Sequence, residues 1–405
     1  MHLQMAWRNI WRNPRRTGII LTAVVIGVWG MVFLGALSDG IIDQMVRNSI
    51  ATLTGSIQIH HKKYCDDPVI ENSMNDSQAV IRTIQKHIPE NAHWAPRIRV
   101  NAVAGNARHS SGVTFVGIDP SKEADVSFIA KSLTEGRYLA SDDPYGILVG
   151  KSLADKFETG LDRKILIMTQ AADKEMASRA FRIAGIFRAE LEATEKQFVF
   201  VTLSAANNML KIQEISEISL LLPDKADPDA VAGQIRPDLP ESCEIRTWQE
   251  ILPLVRVSVE MNQSFMIVWY AVVFIAMGFG IVNTLLMAVF ERMREFGLLK
   301  ALGMKPWRIT VSVLIESFFL LLTGVIAGNA VSLSLVWWLA ERGIDLSAFA
   351  AGMEYAGMPR VIYPMIRTGN LITANLMVLV PGLLISLYPA LKAAGFTPVE
   401  AMSQH

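Results

Sequence analysis

Four stretches of the chain stay apolar for long enough to cross a bilayer core of roughly 30 Å, and the rest of the pattern is organised around them. They are Gly18–Leu37, Ser264–Phe290, Ile309–Leu339 and Asn370–Tyr388. The second and third exceed the minimum length, which allows tilt or extension beyond the membrane surface. Between the first two lies a long polar segment, Asp39–Gln263, with a different rhythm. Alternating runs predict strands at Ser56–His60, Trp94–Ala102, Gly112–Ile118, Lys164–Met168, Phe181–Phe187, Gln197–Val201 and Glu217–Leu222. Helical spacing marks Ser77–His87, Leu203–Leu210 and Asp227–Arg236. This mixture predicts an α+β domain of two lobes, one formed near Gly112–Leu210 and inserted into the other.

Both junctions of that domain also carry helical spacing. Ile42, Met45, Val46 and Ile50 follow the first span. Ile251, Leu254, Val255, Val259 and Gln263 precede the second, interrupted only by Pro253. Two such helices are expected to form a stalk, better suited to transmitting force than to passing a small solute.

The basic residues set the expected orientation. Arg8, Arg12, Arg15 and Arg16 precede the first span; Arg292, Arg294, Lys300, Lys305 and Arg308 fill the segment between the second and third; Lys392 follows the fourth. Cytoplasmic loops attract Lys and Arg, so these three segments belong on the cytoplasmic side and the two intervening ones outside. The expected fold class is a membrane α-helical protein of four transmembrane helices, with a large α+β periplasmic domain inserted between helices 1 and 2. Its expected parts are a cytoplasmic amphipathic helix (1–16), transmembrane helix 1 (17–38), the periplasmic domain with its stalks (39–263) and transmembrane helix 2 (264–290). A cytoplasmic helix (291–308), transmembrane helix 3 (309–340), a periplasmic loop (341–369), transmembrane helix 4 (370–390) and a cytoplasmic tail (391–405) follow. Leu3, Ala6, Trp7, Ile10 and Trp11 give the first part its interfacial face. The first apolar run is longer than a signal-peptide core, and Leu37-Ser-Asp-Gly40 is a poor cleavage site, so an uncleaved anchor is expected. The location implied is a bacterial inner membrane with both termini cytoplasmic.

Composition and chemistry narrow the function. The chain is 51% hydrophobic with formal net charge zero, which gives no argument for nucleic acid. Cys65 and Cys243 are far apart, and their pairing stays open; no Cys/His cluster has metal-ligand spacing. His60-His61 reads as a surface pair and Asp142-Asp143 as a solvated turn. Gly146-Ile-Leu-Val-Gly150-Lys151-Ser152 resembles a phosphate-binding loop but is one residue short between its glycines. No catalytic, cofactor or metal site emerges, so a non-catalytic membrane subunit is expected. Small residues four apart, among them Ala23/Gly27, Ala276/Gly280 and Gly324/Gly328, suit close helix packing. Asn283 and Glu316 are the strongly polar residues singled out within the spans. For Glu316, helix packing within reach of cytoplasmic basic residues is the expected role, and ion coupling the alternative.

The segment Phe290–Lys305 is the most informative. Glu291, Arg292, Met293, Arg294, Glu295, Phe296 and Gly297 lead into Leu299, Lys300, Ala301, Leu302 and Gly303. The Glu-Phe-Gly and Lys-Ala-Leu-Gly spacing resembles the coupling segment of ABC-transporter permeases of the MacB/LolE/FtsX class. A short helix with apolar Met293, Phe296, Leu299 and Leu302 and flanking charges can dock in a partner's groove. Ala6–Thr17, Leu314-Ile-Glu316-Ser, Tyr388–Ala394 and Pro398–Ala401 resemble other parts of the same class, as do Gly136–Leu139, Val149–Ala154 and Phe181–Phe187 in the outer domain. Within the class, Gly343–Phe349 and Val361–Pro364 are most similar to the lipoprotein-releasing (LolC/LolE-like) branch.

That resemblance implies a mechanism. Such permeases work in pairs, identical or mixed, with a dimer of separate cytoplasmic ABC ATPases that bind ATP and Mg. Coupling helices and stalks carry the ATPase motion to periplasmic domains, which hand off cargo, here lipoprotein or lipid-linked, with membrane lipids as neighbours. The lack of a nucleotide-binding loop in the sequence agrees with this division of labour. A periplasmic carrier or adaptor is a further expected partner. In lipoprotein-releasing members the hairpin before the Phe-x-hydrophobic-x-Gly strand is extended and contains Pro. Here Thr169–Ala180 is short and has none, so the carrier docks elsewhere, the other permease supplies the hook, or the cargo differs. A tripartite efflux permease and an FtsX-like regulator of a cell-wall hydrolase are the alternatives.

Overall fold

The computed structural model describes residues 13–65, 67–74, 76–223, 226–346 and 361–396, apart from the side chain of Arg16. The expected amphipathic helix before residue 13, residues 347–360 of the loop after the third span and the Pro398–Ala401 motif lie outside the described residues. The chain divides into two compact units, one holding the four apolar helices up to Asp43 and from Ser258 onward, the other built from Gln44–Val257 with the outer ends of the first two helices.

The helices Pro14–Ser49, Pro253–Glu291, Pro306–Arg342 and Thr368–Gly395 are each long and apolar enough to cross a membrane. Pro253 and Pro306 stand at helix starts, where a missing N–H costs nothing. Pro381 and Pro389 lie inside the fourth helix. Glycines permit the closest approaches. A Cβ on Gly324 would lie 2.5 Å from Val24, and one on Gly328 2.7 Å from Val28, so the first and third spans meet at these positions. Gly27 receives Met277 in the same way. Gly280 has open space around it, and Ala276 is exposed, so this pair does not serve the bundle's own packing.

The spans hold more polar contacts than Asn283 and Glu316 suggest. Asn329 donates to Asn375 at 2.9 Å, tying the third span to the fourth. Asn370 donates to both oxygens of Asp39 at 2.8 and 2.7 Å. Isolated amides carry no periodic signal, and the paired partner makes each tolerable in an apolar setting.

The second unit is organised by one ten-stranded sheet. Its strands are β1 (Ile57–His61), β2 (His93–Gly105), β3 (Ser110–Ile118), β4 (Leu133–Gly136), β5 (Gly146–Gly150), β6 (Lys164–Gln170), β7 (Met176–Phe187), β8 (Phe198–Thr202), β9 (Glu217–Leu221) and β10 (Cys243–Thr247). The order is β10-β1-β9-β2-β3-β8-β5-β7-β4, with β6 bridging β2 and β7. Three apolar clusters pack on the sheet, one around Phe115, Ile147, Phe181 and Leu210, one around Ile57, Ile84, Ile218 and Ile235, and one around Val116, Ile118, Phe187 and Phe200. Where two lobes were expected, one continuous sheet carries these clusters, because β2 pairs with β9 at one end and β3 at the other. Strands β4, β5 and β10 were not expected: β4 is largely exposed, β5 reads as a glycine loop, and β10 alternates over only five residues. The helices Ser77–His87 and Leu203–Leu210 occur as expected. The β6–β7 hairpin is longer than its apolar pattern, with strand pairing out to Gln170 and Met176.

Two expectations about single sites are corrected, and one open question is answered. His60 is fully buried rather than at the surface. Asp143 is more than a solvated turn: it accepts from Arg137 at 2.5 Å and from the amides of Tyr145 and Gly146 at 3.1 and 2.8 Å. Partial burial raises its pKa, but these donors outweigh that and leave the carboxyl below the ordinary range. Cys65 and Cys243 are both free thiols.

The phosphate-loop look-alike has a structural explanation. Gly146–Gly150 is the buried strand β5, and Lys151–Lys156 is the helix that follows. Its first turn is filled by the protein's own carboxylate: Glu195 accepts from the Ser152 amide at 2.9 Å and its hydroxyl at 2.5 Å. Helix N-termini attract anions, and here Glu195 takes that place.

Arg97 sits fully buried on the sheet and organises a charged cluster. It donates to Glu123 through Nε (3.0 Å) and Nη2 (2.7 Å) and also to the carbonyl of Leu53. Glu217 lies 3.5 Å from both Arg97 and Arg99. Leu53 belongs to the π-helical turn Ile50–Thr54 that ends the first long helix, so the guanidinium satisfies a carbonyl that the helix end leaves unpaired.

Candidate functional site

The segment between the second and third spans forms a separate short helix, Met293–Ala301. Arg292 breaks the preceding long helix, with φ −99° and ψ 9°, and Gly303 ends the short one. Gly303 has φ +89°, its amide bonds the Lys300 carbonyl at 2.9 Å, and the Met304 amide reaches Leu299 at 3.0 Å. That is a glycine-dependent helix stop, because a left-handed residue at this point costs other side chains strain. The Lys-Ala-Leu-Gly run thus encodes a terminus.

Each end of this helix is fastened to a different span. At its start, Arg292 donates to Glu316 of the third span at 2.8 Å and to Glu295 at 3.1 Å, and stacks over Phe296 at 5.2 Å. Glu316 is only 7% exposed, and Arg292 supplies the counter-charge a carboxylate needs there. Near its end, Lys300 donates to the carbonyls of Ala394 and Phe396 at 2.7 and 2.6 Å. These carbonyls belong to the end of the fourth span helix, where unpaired C=O groups attract a cation.

The apolar side of the helix corrects the expected docking face. Met293, Phe296 and Gly297 are buried, and Phe296 packs with Val289, Ile309, Val313, Ala390 and Ala393, with Leu299 alongside. These positions are spaced three and four apart, so they form the face turned to the chain's own bundle. Glu291, Arg294, Ala301 and Gly303 are exposed, as is Leu302 at 77%. Leu298, absent from the expected site, is 58% exposed, and Trp307 beside it in sequence beyond the turn is equally open. The missed signal is the spacing of Arg294, Leu298 and Leu302, which puts two leucines on the outer face. Asn283 is also exposed, one face of the second span away from the bundle core.

The site therefore combines an inner face locked into the bundle with an outer strip of Leu298, Leu302 and Trp307 among Arg294, Lys305 and Arg308. Ionic or hydrogen-bonded contacts at both ends tie this short helix to the third and fourth spans.

Comparison with known proteins gives this geometry its context. Residues 17–238 match the MacB-like periplasmic core domain, and residues 267–398 match the FtsX-like permease C-terminal region. The lipoprotein-releasing system transmembrane protein LolC of Xylella fastidiosa is 24% identical over 330 residues, covering 78% of each chain. The macrolide export ATP-binding/permease protein MacB of Nitrosomonas europaea is 24% identical over 444 residues, covering 99% of this chain and 59% of the relative. The uncharacterised ABC transporter permease YknZ of Bacillus subtilis is 20% identical over 417 residues, covering 99% of this chain and 98% of its own. A periplasmic-type core lies between the first two apolar helices, and the bundle with its fastened linker helix falls within the permease region. The chain belongs to the ABC-transporter permeases of the MacB/LolC/FtsX type.

Proposed function

We propose that this permease transmits motion from a pair of separate cytoplasmic ABC ATPases, through the helix Met293–Ala301, to its periplasmic domain, which hands off lipoprotein or other lipid-linked cargo. The observation that carries the reading is the double fastening of that helix, Arg292 to Glu316 and Lys300 to Ala394 and Phe396, beneath an exposed leucine strip. In this reading the protein sits in a bacterial inner membrane with both termini in the cytoplasm. A second permease copy, identical or related, completes the transporter, and ATP and Mg bind the ATPase partner. Leu298 and Leu302 supply apolar anchors, while Arg294, Lys305 and Arg308 set orientation.

The similarity to LolC across most of both chains supports lipoprotein as cargo. The MacB relative, matched along nearly all of this chain, supports export of a small amphiphile as the second reading. Reconstitution with the ATPase in liposomes carrying a triacylated lipoprotein separates them. ATP-dependent release of the lipoprotein into the soluble phase, in the presence of a periplasmic extract, is the expected result. ATP-dependent macrolide movement with the lipoprotein left in the bilayer would replace the first reading by the second.

A further inference from the structure

His60, Cys65 and Glu244 come together in the large domain although nothing in their spacing announces it. Strands β1 and β10 are antiparallel, and their register sets His60 opposite Glu244. Residues opposite each other across a strand pair share a face, so imidazole and carboxylate project to the same side. After β1 the chain turns at once, with the Tyr64 amide bonding the His61 carbonyl at 2.9 Å. This turn brings Cys65 back onto the ring: Sγ lies 3.2 Å from His60 Nε2.

The ring is held for this contact. His60 Nδ1 lies 3.0 Å from the His61 carbonyl, which can only accept, so Nδ1 carries the proton and Nε2 presents its lone pair to the thiol. Tyr64 packs beside the ring at 5.9 Å and is itself fixed by a 2.8 Å bond from its hydroxyl to the Arg99 carbonyl. The carboxylate faces the same ring, with Glu244 Oε1 3.5 Å from His60 Nδ1. That oxygen is buried and accepts no well-directed hydrogen bond, even with an Arg246 nitrogen 2.9 Å away. One ligand atom from each of the three residues lies within 4.8 Å of the others.

The geometry points to a site for a borderline divalent cation of the zinc class, held by His60, Cys65 and Glu244. Nitrogen, thiolate sulfur and carboxylate oxygen form a donor set suited to zinc and foreign to magnesium or calcium, which take oxygen. With metal–nitrogen and metal–sulfur bonds of zinc length in a tetrahedron, the two donors stand about 3.6 Å apart, so the observed pair needs to open by only a few tenths of an ångström. A backbone carbonyl on the remote ring nitrogen is the usual device for orienting a metal-bound histidine. Cys65 is exposed, which supplies an entry path, and three protein ligands leave a fourth position for water. On binding, the thiol releases its proton to solvent as the metal–sulfur bond forms. Since β10 is the edge strand of the sheet, the ion would join that edge to the turn after β1.

Cys243 provides an internal control. It stands opposite His61, one residue out of phase with Glu244, and packs in the core on the other face of the sheet. The test uses the reduced full-length protein in detergent, titrated with cobalt(II) and then zinc(II). One equivalent of cobalt is expected to give the near-ultraviolet thiolate-to-cobalt band, and one equivalent of zinc to bleach it. Cys65→Ser should abolish the band and weaken zinc binding by at least about 100-fold, while Cys243→Ser leaves both unchanged. Glu244→Gln should keep the band with roughly tenfold weaker zinc binding. Absence of a band in the wild-type protein, or its persistence in Cys65→Ser, overturns the site. Unchanged zinc affinity in Glu244→Gln overturns the three-residue assignment.

Discussion

The guanidinium of Arg292 and the carboxylate of Glu316 meet at 2.8 Å where the linker helix joins the third span, with side-chain exposures of 17% and 10%. Burial makes this pair sensitive to the loss of either partner, since a charge left at so low an exposure is poorly solvated. Removing one member of a buried pair costs about 3–5 kcal/mol, whereas replacing both with apolar groups is often near neutral. Arg292→Met and Glu316→Met should each lower detergent thermostability strongly, and the double variant should recover most of the loss. Additive losses in the double variant would show that the two charges are not coupled.

Lys300 should matter at a distance from its own helix. Lys300→Met removes the cation from the carbonyls of Ala394 and Phe396 and should fray the last turn of the fourth span at a cost of about 1 kcal/mol. Hydrogen exchange over residues 390–396 should quicken in this variant, and Lys300→Arg should restore part of the protection. Unaltered exchange there would contradict the capping role.

Glycines in the spans should divide by what they face. Gly328→Leu drives a side chain into Val28 and into the carbonyl of Val25, 3.2 Å from the new Cβ, and should destabilise the bundle by about 1–3 kcal/mol. Gly280→Ala meets nothing within 4 Å and should leave the thermal midpoint of the isolated chain unchanged or slightly raised. A comparison of the two midpoints in the same detergent decides the matter.

Asp143 ties acid stability to one turn of the large domain. Its carboxyl is held below the ordinary range in the folded state, so its contribution is complete above the unfolded value of about 3.9 and disappears as pH falls through the lower folded value. Asp143→Asn should therefore be less stable than wild type near neutral pH, with the gap closing below about pH 4. Thermal unfolding of the full chain across that range provides the check. A gap that stays constant into acid would mean the carboxylate form is not the one stabilised.

The sequence disclosed the spans and the strand-rich domain because both rest on periodic hydrophobicity, which survives without any knowledge of partners. It hid what depends on pairing across the chain. Asn329 and Asn375 are ordinary amides until the third and fourth spans align them. His60 looks like one of a surface pair until β10 covers its strand edge, and Glu244 becomes its neighbour only through register. The linker helix falls between these cases. Its boundaries follow from the Arg292 break and the Gly303 stop, but its faces were misjudged. Leucine and phenylalanine serve equally well for burial or for docking, and only the bundle beneath decides that Phe296 turns in while Leu298 and Leu302 turn out. Arg292 and Lys300 were legible as basic loop residues, and their acceptors, Glu316 and the end of the fourth helix, were not.

Co-purification of the full-length chain with its ATPase, comparing wild type with Leu298→Asp/Leu302→Asp, asks whether this outward strip receives the ATPase. Both leucines are exposed, so the double variant should insert and melt like wild type while losing the complex and the stimulation of ATP hydrolysis. Retention of a stable, ATP-hydrolysing complex by that variant would contradict such docking and move the contact away from the linker helix.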